Sequence, residues 1–262
     1  MSTLGFDEFR ISNCEFGMGQ TNHVQSRSSH VPLRDAQADS SSRYDRKLEF
    51  ILRTASKIFA EKGYHSTTMR DISRATRVSL AGLYHYCESK EELLFLIQDN
   101  CFGRVLERLE ERLQHVEDPA TALRMFIENH VSFFAANMAE MKVLSHEGES
   151  LAGEKHEHVA NKKKEYTQRV RQILAELQRQ TNGKQKVDLT VATYALFGML
   201  NWIYNWYDPN GNLKVRDLAR HFTGLFLGGF LGGSVPVPWT TEVKSRKAEN
   251  MSVWRATLPE KR

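Results

Sequence analysis

The chain has 262 residues, 36 basic side chains against 32 acidic ones and a formal net charge of +4, too little for a non-specific nucleic-acid coat but compatible with salt-sensitive, site-specific DNA binding. Its three cysteines, Cys14, Cys87 and Cys101, are too few and too scattered for a disulfide scaffold, and the acidic start FDEFR lacks the basic and apolar run of a secretory signal. The most apolar run, Leu225 to Leu231, is far short of the ~20 residues that span a membrane, so a cytoplasmic protein is expected.

Residues 1–43 carry scattered polar side chains and a serine cluster from Ser40 without sustained periodicity, and are expected to be a disordered N-terminal extension. From Leu48 the pattern changes. Leu48, Ile51, Leu52, Ala55, Ile58 and Phe59 recur at three- and four-residue steps, one apolar stripe on a helix. Gly63 ends it, because glycine takes the left-handed conformation without a Cβ penalty. Either Thr67 or Thr68 can cap the next helix, in which Met69, Ile72 and Ala75 face inward and Arg70, Asp71 and Arg74 outward. Thr76 to Val78 make a short turn. Ser79 caps a second short helix, with Leu83 and Tyr86 spaced to pack back while Leu80, Ala81, Gly82 and His85 project. Ser89 and Glu92 stand in the relation of a capping box, and Leu93 to Leu113 continue as a long helix. Two short helices joined by a tight turn on a three-helix core form the architecture of a major-groove reader, predicted over residues 44–92.

The run VSLAGLYHYCESKEEL, Val78 to Leu93, resembles the signature that closes the DNA-binding domain of the TetR family of regulators, and FAEKGYHSTTMRDIS, Phe59 to Ser73, is similar to the part that precedes it. Two positions depart from the family pattern: Arg77 stands at a turn position that is usually glycine, and Cys87 at one that is usually phenylalanine. The first implies an altered turn or an extra phosphate contact, the second a smaller core side chain. The resemblance implies that Tyr84 and His85 touch phosphates and base edges. It also makes Lys90, at the start of the following helix, a phosphate clamp, and Thr67 and Thr68 backbone contacts from the other side. Base reading falls to Ser79, Leu80, Ala81 and Gly82, which have little hydrogen-bonding reach. Leu80 and Ala81 suit thymine methyls, Gly82 a close approach of backbone to DNA, and Arg70 and Arg77 the missing polar readout.

Beyond residue 92 the apolar residues fall in helical stripes: Ala122 to Phe134, then Met141 to Leu144, then Tyr166 to Leu177. The fold class is therefore all-α: an N-terminal three-helix helix-turn-helix domain plus a larger helical ligand-binding and dimerisation domain over residues 93–232, with a mobile tail at 233–262. The stretch Ala192 to Leu213 reads as one aromatic helix ended by Asp208-Pro209-Asn210-Gly211, with an antiparallel partner from Val215. In the family such a pair forms a four-helix homodimer interface, and Gly224, Gly228 and Gly232, every fourth residue, would let the backbones approach closely. Phe126, His130, Phe133, Phe134, Met141, Tyr166, Trp202 and Trp206 are the candidates for an apolar effector pocket, or else simply fill the core. Further likeness at LSHEGESL, 144 to 151, and NWIYNWY, 201 to 207, is to the members that respond to acyl-CoA thioesters. That makes Lys155, Lys162, Lys163, Lys164 and Arg169 candidates for the coenzyme phosphates. The function expected is a repressor that binds palindromic operator DNA as a homodimer and is released by a small hydrophobic effector of the acyl-CoA class. No cofactor or membrane partner is implied. The alternative is a metal-dependent helical enzyme or metal sensor using the His146 to His158 cluster, although that spacing is poor for a shared metal and no nucleophile motif or phosphate loop is present.

Overall fold

The structure is a computed structural model that describes residues 33–180 and 187–231, with side chains over 43–180 and 187–230. Residues 1–32, the expected tail and Gly232 lie outside the described residues. Two units divide at Tyr44. Of the first, only the start of α1 (Leu33–Lys62) is described; all that follows concerns the second, Asp45–Arg262. Residues 33–43, part of the segment expected to be disordered, belong to α1. They carry no apolar stripe, but extending a nucleated helix costs little, and Ala36, Gln37, Ala38 and Arg43 are good helix formers.

The first core is built as the apolar pattern predicts. Ile51, Leu52, Ala55 and Phe59 of α1 bury against Ile72 of α2 (Met69–Thr76), Leu83 of α3 (Leu80–Tyr84), and Leu93, Leu94 and Ile97 of α4 (Lys90–Leu113). α1 stops at Gly63, whose φ is +87° and whose amide bonds the Phe59 carbonyl at 2.9 Å. Of the two threonines it is Thr68 that caps α2: its hydroxyl accepts from the Asp71 amide and the Asp71 carboxylate accepts from the Thr68 amide, a reciprocal capping box. Within α2 the inward positions are Ile72 and Thr76, whereas Ala75 is exposed. The buried Thr76 hydroxyl is satisfied by the Ile72 carbonyl at 2.7 Å. At α4 only half of the expected box forms. Ser89 accepts from the Glu92 amide at 3.0 Å, but the Glu92 carboxylate pairs with Lys155.

Arg77 keeps the turn that glycine usually makes, at φ 54° and ψ 30°, so the turn is not altered and the backbone carries the strain. Replacing it with glycine is expected to raise stability by about 0.5–1 kcal/mol, the left-handed penalty less the extra freedom of glycine in the unfolded chain. Arg77→Ala, which keeps a Cβ, should give no such gain. Thermal denaturation of the two variants checks this, and equal melting temperatures would show that the turn is unstrained.

The second core centres on α5 (Pro119–Ala135), which starts cleanly because Asp118 accepts from the Thr121 amide and Pro119 needs no donor of its own. It packs against α4, α6 (Met138–His146), α7 (Gly153–Gln180), α8 (Leu189–Asn201) and α9 (Val215–Leu231). Phe126, Ile127, Leu123, Val131, Leu174 and Leu196 are fully buried there. The aromatic stretch expected as one helix breaks at Asn201, where Trp202–Asn205 tightens into a 3-10 turn. The tighter winding buries Ile203 and Tyr207 and leaves Trp202 and Trp206 exposed.

The two cores do not meet at residue 92. Leu93, Leu94 and Ile97 of α4 belong to the helix-turn-helix core, and so do Val143 of α6, Leu151 and Val159 of α7. The boundary therefore runs through α4 beyond Ile97, because the first turns of that helix face α1 and the later ones, from Val105, face α5.

Candidate DNA-reading face and effector cavity

On the helix-turn-helix, Ser79 caps α3 by accepting from the Gly82 amide at 3.1 Å. The helix turns Ala81 and Tyr84 outward, Tyr84 being 53% exposed, with His85 exposed just beyond it and Leu80 half-buried. Arg70 and Arg77 are exposed as well. Asp71 holds Lys62 at 2.7 Å and Arg74 at 2.6 Å. The Lys62 ammonium, with the amide and hydroxyl of Thr68, keeps the Asp71 carboxyl far below the usual carboxylate range. α2 is thus held to the end of α1 by an ionised carboxylate, and Arg70 and Arg77 stay turned to solvent.

In the second core an apolar cavity of about 420 Å³ opens between α5, α6, α7 and α8. Of the eight candidate ligand residues, His130, Phe134, Met141, Tyr166 and Trp202 line it. Phe126 stands one layer behind, its ring 5.2 Å from Tyr166 and 5.9 Å from Phe197. Phe133 lines a separate polar groove with Cys101 and Arg104, and Trp206 packs on Phe222; neither reaches the cavity. The remaining wall includes Phe102, Leu144, Tyr194, Phe197, Asn201 and Tyr204. Four of the lining positions, Tyr194, Phe197, Gly198 and Asn201, lie at three- and four-residue steps on α8, a signal that the sequence carries but that reading by aromatic type alone passes over. Among the expected coenzyme contacts only Lys163 lines the cavity. Lys155, Lys162 and Arg169 are held by Glu92, Asp99 and Glu110.

Known proteins share this arrangement. Residues 51–97 match the family model described as "Bacterial regulatory proteins, tetR family", and residues 116–230 match "Tetracyclin repressor-like, C-terminal domain". The solved structure of the TetR family regulator PfmR from Thermus thermophilus is 32% identical, with a TM-score of 0.61, over 68% of this chain and 96% of that one. The chain belongs to the TetR family. AibR, solved in complex with isovaleryl coenzyme A and operator DNA, is 29% identical with a TM-score of 0.61, over 68% of this chain and 97% of its own. The transcriptional repressor KstR2 of Rhodococcus jostii is 25% identical over 197 residues, 73% of this chain and 94% of that protein.

As a TetR-family member the chain is a DNA-binding transcriptional regulator and not an enzyme. Several expected contacts nevertheless have other work in this structure. The Lys90 ammonium donates to the carbonyls of Tyr64 at 2.8 Å and Thr67 at 2.9 Å, with that of His65 at 3.4 Å, and lies 4.4 Å from the centre of the Tyr64 ring. Thr67 is buried and donates to the Gly63 carbonyl at 2.7 Å, tying down the open end of α1, so its hydroxyl is already engaged within the protein. Thr68 is exposed, although its hydroxyl donates to Asp71 at 2.8 Å. At Gly82 a Cβ would come 2.9 Å from Val78 Cγ1, so a larger residue would force that side chain to shift. Cys87 does fill the smaller core position, buried, with burial pushing its thiol up to about 11.

The histidine and carboxylate cluster that suggested a metal is dispersed. His146 bonds the Tyr204 hydroxyl at 3.0 Å, His158 bonds Asp99 at 2.7 Å, and Glu147 accepts from Ser150 at 2.7 Å. Among the described residues no group of three or more His, Cys, Asp or Glu could hold a metal ion, and no helix is long and apolar enough to cross a membrane.

Proposed function

We propose that this regulator is a repressor that binds a palindromic operator as a homodimer and lets go of it when an acyl-CoA places its acyl group in the cavity. The observation that carries this reading is that α6 belongs to both cores. Met141, Leu144 and Ser145 line the cavity, whereas Val143 is buried in the helix-turn-helix core. Directly after α6, the Glu147 carbonyl accepts from Gln98 of α4 at 3.0 Å, and its carboxylate lies 3.5 Å from the Tyr64 amide. A ligand that pushes α6 therefore moves the reading head. Within α4 it is Phe102 that touches the cavity, whereas Leu106, Leu109 and Leu113 are committed to the core. The effector need only favour the displaced state by its differential affinity.

The apolar lining and the exposed Lys163 at its edge suit a short or branched acyl group with its anionic carrier left outside. AibR's structure with isovaleryl coenzyme A and operator DNA, and KstR2's name as a repressor, support the same reading. For the homodimer, α8 and α9 expose Val191, Tyr194 and Leu225 at 63%, 65% and 69%, large apolar side chains that a lone subunit would leave wet. At Gly224 and Gly228 a Cβ would meet nothing within 4 Å, so that face of α9 is open to a second copy.

A gel shift on the DNA upstream of the gene, titrated with short- and medium-chain acyl-CoAs, tests the reading. The dimer complex is expected to dissociate with acyl-CoA. Tyr84→Ala should weaken DNA binding about tenfold or more with ligand affinity intact. Lys163→Glu should weaken acyl-CoA binding by about three- to tenfold with DNA affinity intact. Absence of acyl-CoA binding by calorimetry, together with a complex that no acyl-CoA releases, would sink the proposal.

A further inference from the structure

The wall of the cavity includes a histidine whose second ring nitrogen makes no hydrogen bond in the structure. His130 is 2% exposed and boxed by four aromatic rings, with ring centres 4.7 Å away at Phe134, 5.9 Å at Phe197, 6.0 Å at Tyr166 and 6.1 Å at Phe126. Its Nδ1 lies 3.2 Å from the Tyr166 hydroxyl, and its Nε2 makes no hydrogen bond. His130 and Asn201 both belong to the cavity wall, and the Asn201 side chain acts on the imidazole as a further polar neighbour. Burial drives the His130 pKa down to about 3, so the ring is neutral at physiological pH. An apolar residue would pack equally well among these rings, and an unpaired buried nitrogen is costly unless something binds it.

We infer that His130 receives an oxygen carried on the hydrophobic part of the effector, so that the effector class is a hydroxylated or keto acyl group and not a plain hydrocarbon chain. This rests on the reading of the cavity as the effector site, but not on the coenzyme. The tautomer logic narrows the oxygen. If the Tyr166 hydroxyl donates to Nδ1, then Nε2 carries the proton and donates to a ketone or a hydroxyl; if Nδ1 donates to Tyr166, then Nε2 is bare and accepts from a hydroxyl. A hydroxyl satisfies both cases and a ketone the first. Lys163 and Tyr166 are three residues apart on one face of α7. The site thus combines a cation at its edge, an apolar slot and a hydrogen-bonding nitrogen. A site that hydrogen-bonds a ligand oxygen rejects the analogue lacking it far more strongly than an apolar pocket rejects a missing methylene.

The test is calorimetric titration of the full chain with octanoyl-CoA, its (ω−1)-hydroxy and (ω−1)-keto forms, and the coenzyme-free set cyclohexanol, cyclohexanone and methylcyclohexane. The wild type is expected to favour the oxygenated members by about tenfold, equivalent to about 1.4 kcal/mol. In His130→Phe that preference should shrink to about twofold or less while operator DNA is still bound, which shows that the chain is folded. His130→Gln, which keeps a hydrogen-bonding side chain, should retain part of it, and serves if the phenylalanine variant does not fold. Equal wild-type affinities with and without oxygen would overturn the inference and leave the acyl-CoA reading standing. A preference that survives in His130→Phe would overturn it too. An oxygen preference seen only in the coenzyme-free set would uphold it and remove the coenzyme. No binding by any member would remove both.

Discussion

Lys90→Met is expected to destabilise the helix-turn-helix by about 2–3 kcal/mol while leaving the salt dependence of DNA binding unchanged. The lysine ammonium closes the turn between α1 and α2 by gathering the carbonyls of Tyr64, His65 and Thr67 while lying over the Tyr64 ring. Methionine matches the alkyl stem but leaves those carbonyls without their charged donor. Hydrogen bonds to a charged group are worth about 1.5–3 kcal/mol, and Lys90 makes two at short distance. Urea denaturation reads the loss in stability, and operator binding at several salt concentrations reads the slope. A phosphate clamp would behave in the opposite way, with stability preserved and the slope of log K against log salt reduced by about one. That pattern would return Lys90 to the DNA face.

Phe126→Ala should cost about 3–5 kcal/mol, the range for deleting a large aromatic side chain from a packed core. Phe126 is fully buried and touches Tyr166, Phe197 and His130, which are all cavity-wall residues. Its loss therefore removes the layer that holds the wall in place as well as apolar area. Phe126→Leu refills part of the volume and should cost less than half as much. The measurements are the thermal midpoints of the two variants. A midpoint for Phe126→Ala within about 2 °C of wild type, corresponding to about 0.5–1 kcal/mol, would mean that the surrounding rings collapse into the gap.

How far the chain can be read without its fold differs from element to element. The stripe from Leu48 to Phe59 and the caps at Thr68, Ser79 and Ser89 lie within a few residues of what they contact, and the structure places them in one compact reading head. The surroundings of Lys90 lie beyond that range. From sequence Lys90 is a cation at a helix start, where phosphate is the natural partner, and nothing local reveals that the carbonyls of Tyr64 and Thr67 come back to it from the far side of the domain. The effector residues divide similarly. His130, Phe134, Met141, Tyr166 and Trp202 line one cavity, while Phe133 and Trp206, aromatic and close to them in sequence, point elsewhere. The 3-10 turn after Asn201 is decisive for the second of these, since it rotates Trp206 out of line with Trp202.

The sequence by itself determined the family, the helix-turn-helix and the all-helical architecture, because short-range periodicity, caps and turn residues specify helices and their order. Only the tertiary structure decided which cations remain available, where the two cores meet, and that α6 serves both. Those depend on partners brought together from distant parts of the chain, such as Val143 among the residues of the reading head and Lys155 on Glu92. Burial and charge pairing are set by which helices pack together, and the spacing of residues within a single helix does not report that.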